Sequence, residues 1–187
     1  MSRVEQEKKR KELSVRELAY ISMFAALIAV CSWISIPAAV PFTMQTFAVF
    51  AALGILGGRR GTIAVLIYIL LGAVGLPVFS GFRGGPGVLL GTTGGYIIGF
   101  VFTGLVYQAA EHFFGQGKWV RAGAMLAGLL VCYAFGTAWF MTVYARNTVA
   151  ISVATALGWC VFPFILPDLV KLGLALLLTD RLQRYHI

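Results

Sequence analysis

The chain has 187 residues, of which 59% are hydrophobic and 12% are charged, and its formal net charge is +8. A soluble domain averages about 25% charged residues, so lipid is the expected solvent for most of this chain. Its basic residues lie in short segments between apolar runs. This pattern argues against nucleic-acid binding, which needs a basic face or stripe on a domain.

The order of polar and apolar segments predicts the architecture. Residues 1–17 are polar and mixed in charge, which indicates a cytoplasmic tail or a helix on the membrane surface. Six apolar runs follow, at about 18–36, 47–56, 62–74, 96–113, 120–143 and 157–178. The sequence therefore predicts an all-α membrane protein, with a bundle of six transmembrane helices within residues 18–182 and a short cytoplasmic tail at 183–187.

Two segments between the apolar runs are irregular. Residues 37–46 contain two prolines, and residues 75–95 are rich in glycine. The second and third helices beside them are short for a hydrocarbon core of about 30 Å, which needs about 20 residues. Irregular backbone is tolerated at membrane depth only where protein or a cavity covers it. Both segments are therefore candidates for a ligand cavity.

The positions of lysine and arginine predict the orientation in the membrane. With six crossings both termini lie on one side, and twelve of the fifteen basic residues lie on that side. Arg83 and Arg146 lie on the other side, and Lys171 lies within a helix. By the positive-inside rule both termini are cytoplasmic, so the two irregular segments face outside.

Asp168 and Lys171 lie deep within the sixth apolar run. A charged side chain in lipid is costly, and such residues usually face a cavity or a partner. A spacing of three residues places both on one helix face. They are predicted to face a ligand, and the alternative is an ion pair that only ties helices together.

The glycine-rich segment leads directly into the fourth helix. Glycine lets backbone amides approach a ligand closely, and the free N–H groups of a helix N-terminus favour an anion. Gly84, Gly85, Gly94, Gly95 and the charged Arg83 are therefore candidate binding residues. The alternative is close helix packing through small residues. The phosphate-binding pattern GxxxxGK[ST] is absent from the sequence, so no ATP site is expected.

Polar side chains also occur in the first irregular segment. Thr43 and Gln45 could hydrogen-bond a ligand at the outer mouth of a cavity. Taken in isolation, this segment is better explained by capping of the second helix through Thr43 or Thr46.

The first helix contains Ala25 and Ala29, a spacing of small residues that allows close approach of another helix. Alanine is frequent in membrane helices, so the sequence alone does not separate this role from ordinary packing.

Four motifs together resemble the BioY family, the biotin-specific S components of energy-coupling factor (ECF) transporters. They lie at residues 40–46, 75–79, 84–99 and 167–171, and the resemblance extends over about residues 18–182. One departure is Thr92, which stands where the family usually has a proline and which affects the local turn.

The resemblance implies a six-helix plasma-membrane protein that binds biotin near its outer face and uses no cofactor or metal. The family's ligand contacts correspond here to Asp168, Lys171, Tyr96 and glycines of the 84–95 segment. The resemblance also implies partners, namely the membrane coupling subunit EcfT and a pair of ABC-type ATPases. Ala25 and Ala29 match the small residues with which the first helix of the family contacts EcfT.

The chemistry of biotin fits these residues. Its ureido ring offers two N–H donors and one carbonyl acceptor, which a carboxylate and an ammonium group complement. Its valerate carboxylate suits glycine amides at a helix N-terminus and the Tyr96 hydroxyl group. The alternative is that Lys171 binds the valerate, and the sequence does not orient the ligand.

The sequence leaves two alternatives to vitamin capture. A stand-alone transporter coupled to H⁺ or Na⁺ could use Asp168 as a proton carrier, although no inverted repeat is obvious in the sequence. An intramembrane enzyme ranks last, because the sequence shows no Ser–His pair, no HExxH motif and no clustered metal ligands.

Overall fold

The computed structural model describes residues 14–38 and 40–184. Most of the predicted 1–17 tail, including its run of basic residues, lies outside the described residues. The same holds for 185–187 in the predicted C-terminal tail.

The described part of the chain is mainly helical. In chain order its elements are α1 (Val15–Trp33), β1 (Ser35–Ile36), β2 (Phe42–Thr43), α2 (Gln45–Leu56), α3 (Gly58–Ala73), α4 (Pro86–Leu90), α5 (Gly94–Phe114), α6 (Lys118–Asn147), α7 (Val153–Cys160) and α8 (Phe162–Gln183). The two short strands pair antiparallel. Helices α1, α5, α6 and α8 are each long and apolar enough to cross a membrane, and α2 is a shorter apolar helix. The helical fold class is confirmed, whereas the count of six crossings and the cytoplasmic termini stay predictions.

Helix α2 forms the centre of the bundle. Its residues 48–53 have no exposed surface, because α1, α3 and α8 pack around them. Twelve residues of helix are about 18 Å long, well short of the roughly 30 Å hydrocarbon core. The bundle therefore has space beyond one end of its central helix. The β1–β2 hairpin lies at that end, immediately before the first turn of α2.

A single glycine separates α2 from α3. Gly57 has a φ of +82°, a value that glycine adopts without strain. The next backbone N–H, that of Gly58, donates to Glu111 Oε2 at 2.6 Å. Helix α3 consequently begins four residues earlier than predicted, and its first turn is fixed to the end of α5.

Helices α5 and α6 share the most extensive contact in the described structure. The backbones approach at Gly99 and Gly128, and the Thr103 hydroxyl group donates to the Gly128 carbonyl at 3.0 Å. Small residues that let backbones approach are the usual basis of helix packing in lipid, where no hydrophobic effect drives association. This pair gives the bundle a rigid wall.

The predicted sixth helix is interrupted, which corrects the expectation of one continuous helix over 157–178. Helix α7 ends at Cys160, Val161 has a non-helical φ of −125°, and α8 starts at Phe162. Pro163 accounts for the break, because a proline lacks the N–H that would continue the helix and its ring clashes with the preceding turn. The break places the start of α8 beside the space above α2.

Ala25 and Ala29 are buried within the bundle, with 1% and 6% of their surface exposed. Their burial favours ordinary packing, the alternative that the sequence left open, and contact with a partner subunit stays a prediction. They lie on the face of α1 that packs against α2 and α3. The exposed face of α1 instead presents the small residues Ala19, Ser22 and Ala26.

The α5–α6 contact gives a test of stability. A Cβ atom at Gly128 would lie 3.0 Å from the Thr103 Cα atom and 3.1 Å from its carbonyl oxygen, so the helices would have to separate. We expect Gly128→Ala to lower the free energy of unfolding by about 1–3 kcal/mol, as overpacking does. Thermal unfolding in a fixed detergent measures the effect.

Gly123→Ala is the matched control, because a Cβ atom at Gly123 on the same helix has no neighbour within 4 Å. Alanine has a higher helix propensity than glycine and makes no clash at this position, so the free energy of unfolding should be unchanged or slightly higher. Equal unfolding temperatures for the two variants would contradict the close packing of α5 on α6.

Candidate functional site

A cavity lies at the N-terminal end of α2, between α5, α6 and α8. Its empty space is about 720 Å³, a volume that includes the open mouth. Its apolar walls come from Phe79, Ile97, Phe100, Leu129 and Phe164. The cavity therefore suits a ligand that is mainly apolar and has polar ends.

Asp168 and Lys171 lie at the inner end of this cavity. Lys171 Nζ donates to Asp168 Oδ1 at 2.8 Å, and both residues are at least 96% buried. Lys171 also donates to the Thr43 carbonyl at 2.6 Å and lies 4.1 Å from the centre of the Phe42 ring. The lysine thus joins α8 to the hairpin that covers the cavity, and the helical spacing predicted from the sequence is observed.

Tyr133 of α6 also reaches this pair. Its hydroxyl group donates to Asp168 Oδ2 at 2.6 Å. Sequence reasoning missed this residue, because a tyrosine within an apolar helix is not distinctive by itself. A buried carboxylate needs more than one hydrogen-bond donor. A search for a second donor to Asp168 on the other helices would have included this tyrosine.

Thr43 and Gln45 both line the cavity, and their contact with a ligand stays a prediction. The Thr43 hydroxyl oxygen accepts from the Gln45 backbone N–H at 3.2 Å, so the threonine also supports the start of α2. The Gln45 side-chain amide donates to the Tyr68 hydroxyl group at 3.0 Å. The N-cap residue of α2 is Met44, which makes no side-chain cap, so the predicted capping through Thr43 or Thr46 is not observed in that form.

Tyr96 lines the cavity from α5, but its hydroxyl group is paired with the Thr137 hydroxyl group at 2.9 Å. The ring lies directly over Gly136, where a Cβ atom would approach it to 2.3 Å. Tyr96 therefore contributes mainly a ring wall and anchors α5 to α6.

The four predicted binding glycines do not line this cavity. A Cβ atom at Gly84 would lie 2.2 Å from the Leu76 carbonyl oxygen, and one at Gly95 would lie 2.3 Å from Trp139 Cβ. Gly94 approaches the backbone of α4 in the same way, and Gly85 has a φ of +92°. Their observed contacts favour the packing alternative, and direct contact with a ligand stays a prediction.

The loop between α3 and α4 supplies the mouth of the cavity. Phe79 and Arg83 exchange two backbone hydrogen bonds across a tight turn, in which Phe82 adopts a φ of +56°. The Phe82 ring stacks on Trp33 at 5.0 Å, and the Trp33 indole N–H donates to the Pro77 carbonyl. Aromatic contacts thus fix a loop conformation that is unusual for a residue other than glycine.

Arg83 is exposed at this mouth. It lines both the cavity and an adjoining recess, and Thr92, the departure from the family pattern, lies in that recess. Arg83 Nε donates to the Ser80 carbonyl at 3.1 Å, and none of the ion pairs among the described residues includes Arg83. Its charge is available to a ligand.

The charges along the cavity have a definite arrangement. The charged residues that line it are Arg83, Asp168 and Lys171. Asp168 and Lys171 neutralise each other at the inner end, so Arg83 gives the site one net positive charge at its mouth. No cluster of three metal-ligating side chains occurs within residues 14–38 and 40–184. The site can bind an anion at the mouth and a neutral polar group inside.

Comparisons with known proteins agree on one family. The sequence matches the BioY family over residues 6–186. It is 41% identical to the biotin transporter BioY of Thermotoga maritima, over 92% of this chain and 99% of that protein. It is 40% identical to the probable biotin transporter BioY of Pyrococcus horikoshii, over 91% of this chain and 98% of that protein.

A solved structure has the same fold. It is a crystal structure of the S-component for biotin from an ECF-type ABC transporter. The two structures superpose with a TM-score of 0.79 and 27% sequence identity, over 98% of this chain and 95% of the other.

Proposed function

The chain belongs to the BioY family, and we propose that it captures biotin at the outer face of the membrane as the S component of an ECF transporter. It is a multi-pass protein of the plasma membrane, and the proteins to which it is similar are transporters rather than enzymes. In this proposal the partner subunits supply ATP hydrolysis.

The charge arrangement of the cavity carries the proposal. Biotin has a neutral polar ureido group at one end, an apolar bicycle in the middle and a carboxylate at the other end. The cavity offers the neutral Asp168–Lys171 pair inside, apolar walls between and Arg83 at the mouth. A ligand with its charged end inside and its neutral polar end at the mouth would leave one of these groups unpaired.

The same arrangement supports one orientation of the ligand. If the valerate bound Lys171, that lysine would face two carboxylates, while the charge of Arg83 would have no ligand partner. With the ureido ring inside, Asp168 accepts its N–H groups and Lys171 donates to its carbonyl group. The valerate then reaches Arg83 near the solvent, where a flexible chain is most easily accommodated.

The exposed face of α1 is suited to packing against a helix of a partner subunit. Ala19, Ser22 and Ala26 lie three and four residues apart, so they form one exposed stripe of small side chains. Such a stripe allows a second helix to approach closely in lipid. We propose that EcfT packs there, in place of the buried Ala25 and Ala29.

Biotin binding by the isolated subunit tests the proposed ligand. Detergent-purified protein is titrated with biotin by calorimetry, and thiamine and riboflavin serve as control ligands. We expect high-affinity binding of biotin alone, because the other vitamins do not place a cyclic urea beside a carboxylate-bearing chain. Equal heats for all three ligands, or none with biotin, would refute the proposal.

Asp168→Asn tests the position of the site. The change removes a charge and replaces an acceptor by a donor without altering the shape. We expect biotin binding to weaken by about 1.5–3 kcal/mol, the usual worth of a hydrogen bond to a charged group, or roughly 10- to 150-fold in Kd. Calorimetry is done on monodisperse protein, so that loss of folding is not read as loss of affinity.

Asp180→Asn is the matched control on the same helix. Asp180 pairs with Lys118 at 3.0 Å near the other end of α8 and does not line the cavity. Its change should leave biotin affinity unaltered. If folded Asp168→Asn protein binds biotin like the wild type, the Asp168–Lys171 pair is only structural.

Ala26→Trp tests the partner surface. A bulky ring on the exposed face should block the approach of EcfT, while the cavity, which no residue of α1 lines, is undisturbed. We expect loss of co-purification with EcfT and loss of biotin uptake, with the wild-type Kd for biotin. Ala29→Trp, by contrast, should prevent folding because Ala29 is buried.

The control is Leu105→Trp, which adds a ring of the same size at an exposed position of α5. This variant should retain assembly and uptake. Normal co-purification of Ala26→Trp would show that α1 is not the interface. Wild-type uptake in cells that lack every coupling subunit would instead favour an ion-coupled transporter.

A further inference from the structure

The polar contact between α6 and α8 at the cavity is a single hydrogen bond. The two helices touch sparsely along most of their length, because the cavity opens between them. They are joined near their other ends by Arg121, which donates to Gln183 Oε1 at 2.6 Å, and by the Lys118–Asp180 pair. At the cavity, the described contact that joins them is the hydrogen bond from Tyr133 to Asp168.

This hydrogen bond acts on the carboxylate that the ligand needs. Lys171 holds Asp168 through Oδ1 only. The last torsion of an aspartate side chain is soft and broad, so one partner on one oxygen leaves the plane of the carboxylate free to rotate. A second donor on Oδ2 removes that freedom. The two oxygens together accept about four hydrogen bonds, so two positions remain for a ligand.

Tyr133 can hold this position because its own helix is fixed. Helix α6 is locked to α5 through the Gly128–Thr103 contact and through the Tyr96 ring, which lies over Gly136 one turn from Tyr133. Only 9% of the surface of Tyr133 is exposed. A donor on a rigid element sets the geometry of its partner, as a supporting group around a binding site does.

We infer that Tyr133 is a positioning residue for ligand recognition, which orients the Asp168 carboxylate so that its free acceptor positions face the N–H donors of a cyclic urea. The inference rests on the proposed function. In this inference α6 sets the orientation of the carboxylate that binds the urea, although none of the ligand contacts predicted from the sequence lies on α6.

A double-mutant cycle of Tyr133 and Asp168 tests the inference, with biotin as the ligand and the full-length chain in detergent. Tyr133→Phe removes the hydroxyl group alone, and we expect a roughly tenfold higher Kd. In the Asp168→Asn background the same change should have little further effect, because the group that it orients is already lost. Each Kd is measured on protein whose thermal unfolding shows a single folded state.

Tyr144→Phe is the control, since Tyr144 lies on the same helix but does not line the cavity, and it should bind biotin as the wild type does. A lower unfolding temperature for Tyr133→Phe with unchanged Kd would make the hydrogen bond purely structural and overturn the inference. Equal losses in both backgrounds would also overturn it, because Tyr133 would then act independently of Asp168. Failure of the wild type to bind biotin would refute the proposed function itself.

Discussion

The structure depends on the shortness of its central helix. Helix α2 has twelve residues and is enclosed by α1, α3 and α8, so it ends well inside the bundle. Polar backbone groups at that end cannot be left in contact with lipid. The β1–β2 hairpin covers them, and Lys171 satisfies the Thr43 carbonyl. The space that remains above α2 is the cavity.

The second constraint is electrostatic. A buried carboxylate is costly unless it is paired and hydrogen-bonded, and Asp168 has both an ammonium partner and a phenol donor. The result is an inner end that is neutral overall yet rich in donors and acceptors, while Arg83 stands apart at the mouth. These two features match the two polar ends of biotin, and the apolar walls match its middle.

The glycine-rich segment serves the site indirectly. Gly84 packs against the backbone of the loop, Gly94 against the backbone of α4 and Gly95 against Trp139. In each case the neighbour is so close that a Cβ atom would clash. The Trp139 indole N–H donates to the Gly91 carbonyl, and Trp33 donates to the Pro77 carbonyl. Tryptophan side chains thus hold the glycine-rich segment 75–95, which carries Arg83, near both of its ends. The rigid mouth is a consequence of this packing.

The sequence by itself determined the membrane class, the helical segments, the two irregular stretches and the shared face of Asp168 and Lys171. Each of these follows from local pattern, such as hydropathy, proline and glycine content, or a spacing of three in a helix. Only the tertiary structure decided which face of α1 is buried, where α7 and α8 separate and that Tyr133 reaches Asp168. The physical reason is that lipid is as apolar as the protein interior. A membrane helix is therefore apolar all round, and the periodicity that separates inside from outside in a soluble protein is missing.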